Sequence, residues 1–291
     1  VVRQEDTDYG DDEVTIYKAL QKHTNFCPVG EELEKGDLVI PAGRKIGRIE
    51  TALLAEIGMH KVSVVRPAKI AILSTGSELA KVGDALKPGQ IYNSILHMLG
   101  ASIRQEGLRV VYAKSCGDEK EQICRELDHA LEEADLVLTT GGVSVGKRDL
   151  LPYVLDEMGA KRLFHYAKIQ PGTPTMGSVI DGKVILSLSG NPYAALANFD
   201  YYFWPAAAKL MNSDAFLTQT RTACLAEPYD KINRMRRLIR AFYKDGNVYL
   251  PEKKHQSSVA GNLTSCNCYI DLPAGERIVV GDSVTVRLMK N

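Results

Sequence analysis

The sequence contains no long apolar run, and none of its stretches approaches the roughly 20 residues that a membrane-spanning helix needs. It also has no net charge, because 36 Lys and Arg residues balance 36 Asp and Glu residues. This balance argues against nucleic acid or an anionic membrane as the main partner. With 291 residues, of which 45% are hydrophobic, the chain is long enough for two or three domains with apolar cores.

Common metal and catalytic motifs are missing as well. The six cysteines form no C-x-x-C pair and no zinc-ligand spacing, which favours free, reduced thiols in a cytoplasmic protein. No G-x-x-x-x-G-K-[ST] motif is present, and His165 and His255 have no visible partners for a Ser-His-Asp triad. The chain opens Val-Val-Arg-Gln-Glu-Asp, without an initiator methionine or an apolar leader, and we expect a fragment of a longer protein.

Alternating strand and helix patterns occupy the middle of the chain. Continuous apolar runs at 70–74 and 135–138 predict buried strands, and helical spacing follows each of them. This alternation predicts an α/β domain with a doubly wound, mostly parallel sheet. The last quarter has short strand patterns around the hairpin turn Asp245-Gly246, which is typical of a small β-barrel or sandwich.

These patterns predict four segments. They are a remnant of an N-terminal β-rich domain over 1–27, a linker or scaffold with one helix over 28–66, the α/β domain over 67–212 and the C-terminal β-barrel over 213–291. Within them we expect strands near 14–17 and 62–65, and helices near 49–58, 94–106, 118–131, 149–158 and 193–210.

The most informative stretch is T-T-G-G-V-S-V-G-K-R-D at 139–149, between an apolar strand and a helical pattern. Glycine tolerates positive φ and lets a phosphate or another oxyanion approach the backbone closely. Free N–H groups at a helix start also favour anions. Two simpler interpretations stay open: the loop could be an ordinary strand-to-helix turn, and Asp149 could be a helix N-cap.

Three other loops are predicted to lie near this one, because ligands of open α/β sheets bind where parallel strands end. They are S-T-G-S-E at 74–78, Q-P-G-T-P at 170–174 and S-L-S-G-N-P at 187–192. Together they predict a site with main-chain amides that hold an anion, with hydroxyls and with two carboxylates, Glu78 and Asp149. Such a site suits a phosphate-bearing organic ligand with a second oxyanion or a cation beside it.

The order of these motifs resembles that of the molybdopterin molybdenumtransferase family, which includes MoeA and the E domain of gephyrin. The motifs are L-S-T-G-S-E-L at 73–79, G-Q-I-Y-N-S at 89–94, G-G-V-S-V-G followed by Asp149, P-G-x-P at 171–174 and G-N-P at 190–192. The resemblance implies insertion of molybdate into adenylylated molybdopterin with release of AMP, assisted by Mg²⁺. It also implies a homodimer and, as a candidate protein partner, molybdopterin adenylyltransferase.

The same resemblance implies roles for individual residues. Catalytic roles fall on Ser144, Asp149 and Glu78, of which the two carboxylates would hold the metal. The implied cofactor-binding residues are Thr75, Gly76, Gly141, Gly142, Ser144, Gly146, Pro171, Gly172, Pro174, Gly190, Asn191 and Pro192.

Several positions depart from the family pattern. Ser77 stands where the family's T-G-D-E motif has an aspartate, and Gln170 and Thr173 replace both lysines of its K-P-G-K-P motif. Because a lysine offers charge and donors to an oxyanion, we hypothesise that Lys168, Lys147 or Arg148 supplies this charge instead. Two alternatives stay open: a divergent paralogue that binds a pterin or nucleotide without inserting metal, as a sensor or carrier, and a scaffold protein.

Overall fold

The computed structural model describes residues 1–144, 149–251 and 256–290. The chain forms two compact units, Val1–Val62 and Ser63–Asn291. Among the described helices, none is both long enough and apolar enough to cross a membrane.

The first unit contains one described α-helix, α1 (Arg48–Glu56), close to the predicted 49–58. Gly58 follows its end in the left-handed conformation, with φ +73°, as expected of a helix stop. The strands expected near 14–17 and 62–65 do not form, and the first leaves only an isolated bridge between Thr7 and Ile16. β-Forming residues need a neighbouring strand to pack against, and sequence alone does not supply one.

The second unit begins with alternating strands and helices. Its strands up to residue 188 are β1 (Lys69–Thr75), β2 (Leu79–Ala80), β3 (Ile91–Tyr92), β4 (Arg109–Cys116), β5 (Leu136–Thr140), β6 (Lys161–His165), β7 (Ile169–Gln170), β8 (Met176–Ile180) and β9 (Lys183–Leu188). Its helices are α2 (Ser94–Gln105), α3 (Lys120–Glu133), α4 (Leu151–Glu157), α5 (Pro192–Asn198) and α6 (Trp204–Met211). The remaining strands are β10 (Thr220–Leu225), β11 (Arg236–Lys244), β12 (Asn247–Tyr249), β13 (Cys268–Leu272) and β14 (Ser283–Leu288).

Six strands form the α/β sheet in the order β4-β1-β5-β9-β8-β6. The first four run parallel, and β8 and β6 are antiparallel to their neighbours. Side chains of β1 alternate between two cores, with Ile70 and Ile72 on one face and Ala71 and Leu73 on the other. Helices cover both faces, which confirms the predicted doubly wound α/β fold.

The helix expected over 193–210 is interrupted. A π-helical turn, Phe199–Phe203, separates α5 from α6. Pro205, the second residue after this turn, has no N–H to donate to the preceding turn, so the regular hydrogen-bond ladder cannot continue there.

The five strands β10–β14 close into the small barrel that the turn pattern predicted. Their order is β12-β10-β14-β13-β11, and a further pairing of β12 with β11 completes the circle. The turn between these two strands is Asp245-Gly246, with φ values of +49° and +80°. Outside the barrel, β7 pairs in parallel with β11, so that Gln170 lies opposite Arg237.

A buried cluster packs the barrel against α5. It contains Ile169, Tyr193, Ala197, Leu238 and Tyr269. Beside it lies Asp200, whose fully buried carboxylate accepts hydrogen bonds from the Tyr269 hydroxyl and from Trp204 Nε1, both at 2.8 Å. Burial raises the pKa of Asp200 to about 6, because desolvation outweighs these two donors and the nearby cations.

We expect Asp200→Asn to change how the free energy of unfolding depends on pH. The native carboxyl keeps its proton up to about pH 6, whereas an unfolded aspartate loses it near 3.8. Its stabilising contribution is therefore complete below pH 3.8 and is lost as the pH rises to about 6. From pH 4.5 to pH 7, the wild-type chain should lose about 2 kcal/mol of stability relative to the variant.

Urea unfolding followed by the fluorescence of Trp204, the single tryptophan, measures this difference. An asparagine amide can still accept from Trp204 and can donate to the Tyr269 hydroxyl, so we expect the variant to fold. Asp128→Asn, at an exposed site on α3, is the matched control. A stability difference that stays constant over this pH range would contradict the prediction.

Candidate functional site

Three parallel strands end side by side at one edge of the α/β sheet. Ser74 of β1 pairs with Thr140 of β5, and Thr140 pairs with Leu188 of β9. The loops that follow these strands therefore lie next to one another, as the sequence predicted. Gly141 connects two of them directly, because its N–H donates to the Leu188 carbonyl at 3.1 Å.

These loops border a cavity of about 770 Å³, here called the edge cavity. Ten of the predicted site residues line it: Thr75, Gly76, Glu78, Gly141, Gly142, Ser144, Asp149, Pro174, Gly190 and Asn191. The lining also includes Ser77, Pro88, Gly89, Gln90, Ile91, Asp118 and Ser189. The carboxyl edge thus brings together residues that are up to 116 positions apart, since the lining extends from Thr75 to Asn191.

Gly141 is required where the strand ends meet. Its φ is +85°, and a Cβ there would lie 2.2 Å from the main-chain oxygen of Thr75. Any other residue would have to push β1 and β5 apart, so this glycine lets the two loops approach each other.

Four of the main-chain amides beside this cavity are already hydrogen-bonded within the protein. Those of Gly76, Ser77, Gly141 and Asn191 all donate to acceptors within the protein. The Gly76 amide, for example, donates to the Cys116 carbonyl at 3.1 Å. These four donors stabilise the loops and strand ends, so in this conformation they do not point to an anion.

Three carboxylates line the edge cavity: Glu78, Asp149 and Asp118. Asp118 is not the N-cap of α3, which begins after Glu119. Its Oδ2 instead accepts from the Ser77 amide at 3.0 Å and from the Ser77 hydroxyl at 2.6 Å. Asp118 thus brings a carboxylate next to the serine that replaces the family's aspartate. Its position directly after β4, a neighbour of β1, was the one available sequence signal.

Other residues that the sequence singled out do not have the predicted roles or lie outside the described ranges. Leu150, not Asp149, takes the N-cap position of α4. Pro192 opens α5 and lines neither this cavity nor the next one. The predicted residues Gly146, Lys147 and Arg148, together with His255, lie outside the described residues. His165 is no triad member here, because its Nε2 lies 3.0 Å from the Val143 carbonyl oxygen.

A second cavity, of about 660 Å³, lies between the Q-P-G-T-P loop and the barrel. We call it the barrel-side cavity. It is lined by Gln170, Pro171, Gly172, Thr173, Pro174, Ser189, Asn191, Ala194, Lys231, Arg237, Gln256 and Ser257. Lys231 and Arg237 were not predicted, since no sequence pattern relates barrel residues to a loop about sixty positions earlier. Lys168, one of the hypothesised cations, is exposed and does not line it.

Two anchors hold the walls of this cavity. The Asn198 side chain donates to the carbonyls of Pro171, Gly172 and Ala194 at 3.0, 3.1 and 3.0 Å. A Cβ on Gly172, whose φ is +89°, would lie 1.6 Å from that amide nitrogen. On the other side, the buried Arg240 guanidinium donates to the carbonyls of residues 256 and 259 and lies 4.2 Å from the Tyr193 ring centre.

The two cavities meet at Pro174, Ser189 and Asn191, which line both of them. Their charges differ in sign. In the described part of the chain, the charged residues that line the edge cavity are all acidic, and those that line the barrel-side cavity are both basic. One cleft can therefore hold two ligand groups of different character side by side.

Comparison with protein families matches three parts of the chain. Residues 71–209 match a probable molybdopterin binding domain. Residues 1–58 match the MoeA N-terminal region (domains I and II), and residues 222–289 match the MoeA C-terminal region (domain IV).

Individual proteins are similar over nearly the whole chain. Molybdopterin molybdenumtransferases of Staphylococcus epidermidis and Staphylococcus aureus are 38% and 34% identical over 280 residues, which is 95% of this chain and 67% of theirs. The solved molybdopterin biosynthesis MoeA protein of Pyrococcus horikoshii has 29% identity and a TM-score of 0.84, covering 100% of this chain and 72% of that one. The chain belongs to the molybdopterin molybdenumtransferase family, the MoeA proteins of molybdenum cofactor biosynthesis.

Proposed function

We propose that this chain inserts molybdate into adenylylated molybdopterin and releases AMP. The observation that carries this proposal is the two-part cleft, in which an acidic cavity adjoins a basic one. The reaction has two substrates that differ in the same way: a pyrophosphate-linked pterin, which needs a metal ion, and a free oxyanion. The homodimer, the adenylyltransferase partner and the cytoplasmic location belong to this proposal as implications of family membership.

The edge cavity suits the adenylylated pterin. Its volume of about 770 Å³ is within the range of sites for cofactor-sized ligands. Ser144 and Asn191 offer exposed polar groups there, and Thr75 Oγ1 is buried without a hydrogen-bond partner among the described residues. These groups would orient a polar ring system and its phosphates.

The carboxylates of the edge cavity also fit Mg²⁺. No set of three or more His, Cys, Asp or Glu residues in the described ranges could hold a metal ion by itself. Mg²⁺ is usually held by one or two carboxylates together with substrate phosphates and water. Glu78, Asp149 and Asp118 could supply the carboxylates, and the bound substrate would supply the phosphates. When bound, the ion would neutralise charge on the pyrophosphate as AMP leaves.

The barrel-side cavity suits molybdate. Lys231 and Arg237 supply the positive charge, and Thr173, Ser189 and Ser257 supply hydroxyl groups. Because both cavities share Pro174, Ser189 and Asn191, an oxyanion bound here would lie next to a pterin bound at the sheet edge. Holding both reactants in place converts a bimolecular encounter into a step within one complex.

A second candidate function is supported by the neutral Q-P-G-T-P loop. A protein without the family's two loop lysines could bind the pterin as a carrier without inserting metal. Incubation of the chain with adenylylated molybdopterin, Mg²⁺ and molybdate distinguishes the two. Release of AMP with a molybdenum-loaded product supports insertion, whereas tight pterin binding without AMP release supports the carrier.

Asp149→Asn should slow AMP release while leaving the fold intact. The variant loses a charge that would help to hold Mg²⁺ against the phosphates, and a contact with a charged group is worth roughly 1.5–3 kcal/mol, or about 10- to 100-fold in rate. Single-turnover release of AMP measures this effect. Asp128→Asn removes the same charge from an exposed site on α3 and should release AMP at the wild-type rate. Equal rates for all three proteins would exclude Asp149 from the reaction.

Asp118→Asn tests whether the carboxylate beside Ser77 takes part. An amide in its place can still accept from the Ser77 hydroxyl, so the loop should hold while the charge is lost. If Asp118 contributes charge, AMP release should fall by about 10-fold and recover partly at higher Mg²⁺ concentration. Ser77→Ala is the matched variant, since it breaks the hydroxyl contact and keeps the carboxylate. If AMP release falls in Ser77→Ala but not in Asp118→Asn, the hydrogen bond matters and the charge does not, and Asp118 has a purely structural role.

A further inference from the structure

Among the described residues, the positive charge of the barrel-side cavity comes from the barrel and not from the Q-P-G-T-P loop. Gln170 and Thr173 stand at the positions of the family's two lysines and are neutral. Lys231 and Arg237 are the charged residues among the described lining. In the described part of this chain, the cations of the cavity therefore lie on its barrel side.

Strand pairing places Arg237 opposite the loop. In the parallel pairing of β7 with β11, Gln170 is the register partner of Arg237, and their side chains meet through Arg237 Nη1 and Gln170 Oε1 at 3.1 Å. A carboxamide oxygen accepts from a guanidinium, whereas a lysine at position 170 would repel it. Neutral Gln170 and cationic Arg237 are thus a matched pair.

In the described part of the chain, Arg237 forms no ion pair with the nearby acids Asp271 and Asp230, although Asp230 lines a smaller neighbouring cavity with it. Asp271, the buried acid of this surface, accepts from Arg236 Nε at 2.6 Å and from Arg287 Nη2 at 3.3 Å. Arg237 has no ion pair within the ranges that the structure describes. A guanidinium has five N–H donors, and the bond to Gln170 uses one of them. The planar fork that remains suits two oxygens of a tetrahedral anion.

We propose that Arg237, held by Gln170 and assisted by Lys231, binds the oxyanion substrate in place of the loop lysines of the family. The inference rests on the proposed function, because it names the residue that recognises molybdate in the barrel-side cavity. Arg237 determines affinity for the anion, and Gln170 positions it.

Molybdate binding to the full chain, measured by calorimetry without any pterin, tests this assignment. Arg237→Met should weaken binding by about 10- to 100-fold, because a charge-assisted contact is lost. The double variant Gln170→Lys/Arg237→Met returns a cation from the loop side and should recover most of the affinity. Arg234→Met removes the same charge from an exposed site outside the cavity and should bind as the wild type does.

The outcomes separate this inference from the proposed function. Wild-type affinity in Arg237→Met overturns the inference, and the proposed function stands if that variant still releases AMP. If the double variant does not recover the lost molybdate affinity, a cation at position 170 cannot replace the one at position 237, and that part of the inference is wrong. Absence of molybdate binding by the wild-type chain overturns the proposed function itself. Trp204 fluorescence in urea shows whether each variant is folded.

Discussion

The candidate cleft depends on the parallel pairing of β7 with β11. This two-residue strand leaves the α/β domain and joins the edge of the barrel, so the loop that follows it runs between the two. Ile169, Tyr193 and Tyr269 are buried around the same junction and pack the barrel against α5. The barrel-side cavity therefore has walls on both sides whose relative position is set by main-chain hydrogen bonds and packing.

Charge is distributed along the cleft in a way that follows from its construction. Loops after parallel strands carry Glu78, Asp149 and Asp118, so the sheet edge is acidic. The barrel contributes Lys231 and Arg237, so the far side is basic. Four amides of the loops at the sheet edge donate to acceptors within the protein, and the charged side chains give the two parts of the cleft opposite signs.

Part of the fold could be predicted because burial leaves a direct mark on sequence. Strand β1 is a continuous apolar run because both of its faces are covered. Asp245-Gly246 marks the hairpin between β11 and β12, because both residues readily adopt a positive φ. Strand β10 carries little such signal, because it is mostly exposed and has weak apolar alternation. The residues near 62–65 have strand-forming side chains but no neighbouring strand, so they remain irregular.

The candidate site, like the fold, could be predicted from the sequence only in part. The sequence by itself determined that Thr75, Gly141 and Asn191 would meet at one edge, because the alternation of strands and helices is a local pattern that implies parallel pairing. Only the tertiary structure decided that Asp118 bonds to Ser77 and that Arg237 lies opposite Gln170. Those contacts depend on strand pairing and domain packing between segments far apart in the chain, for which spacing along the sequence carries no signal.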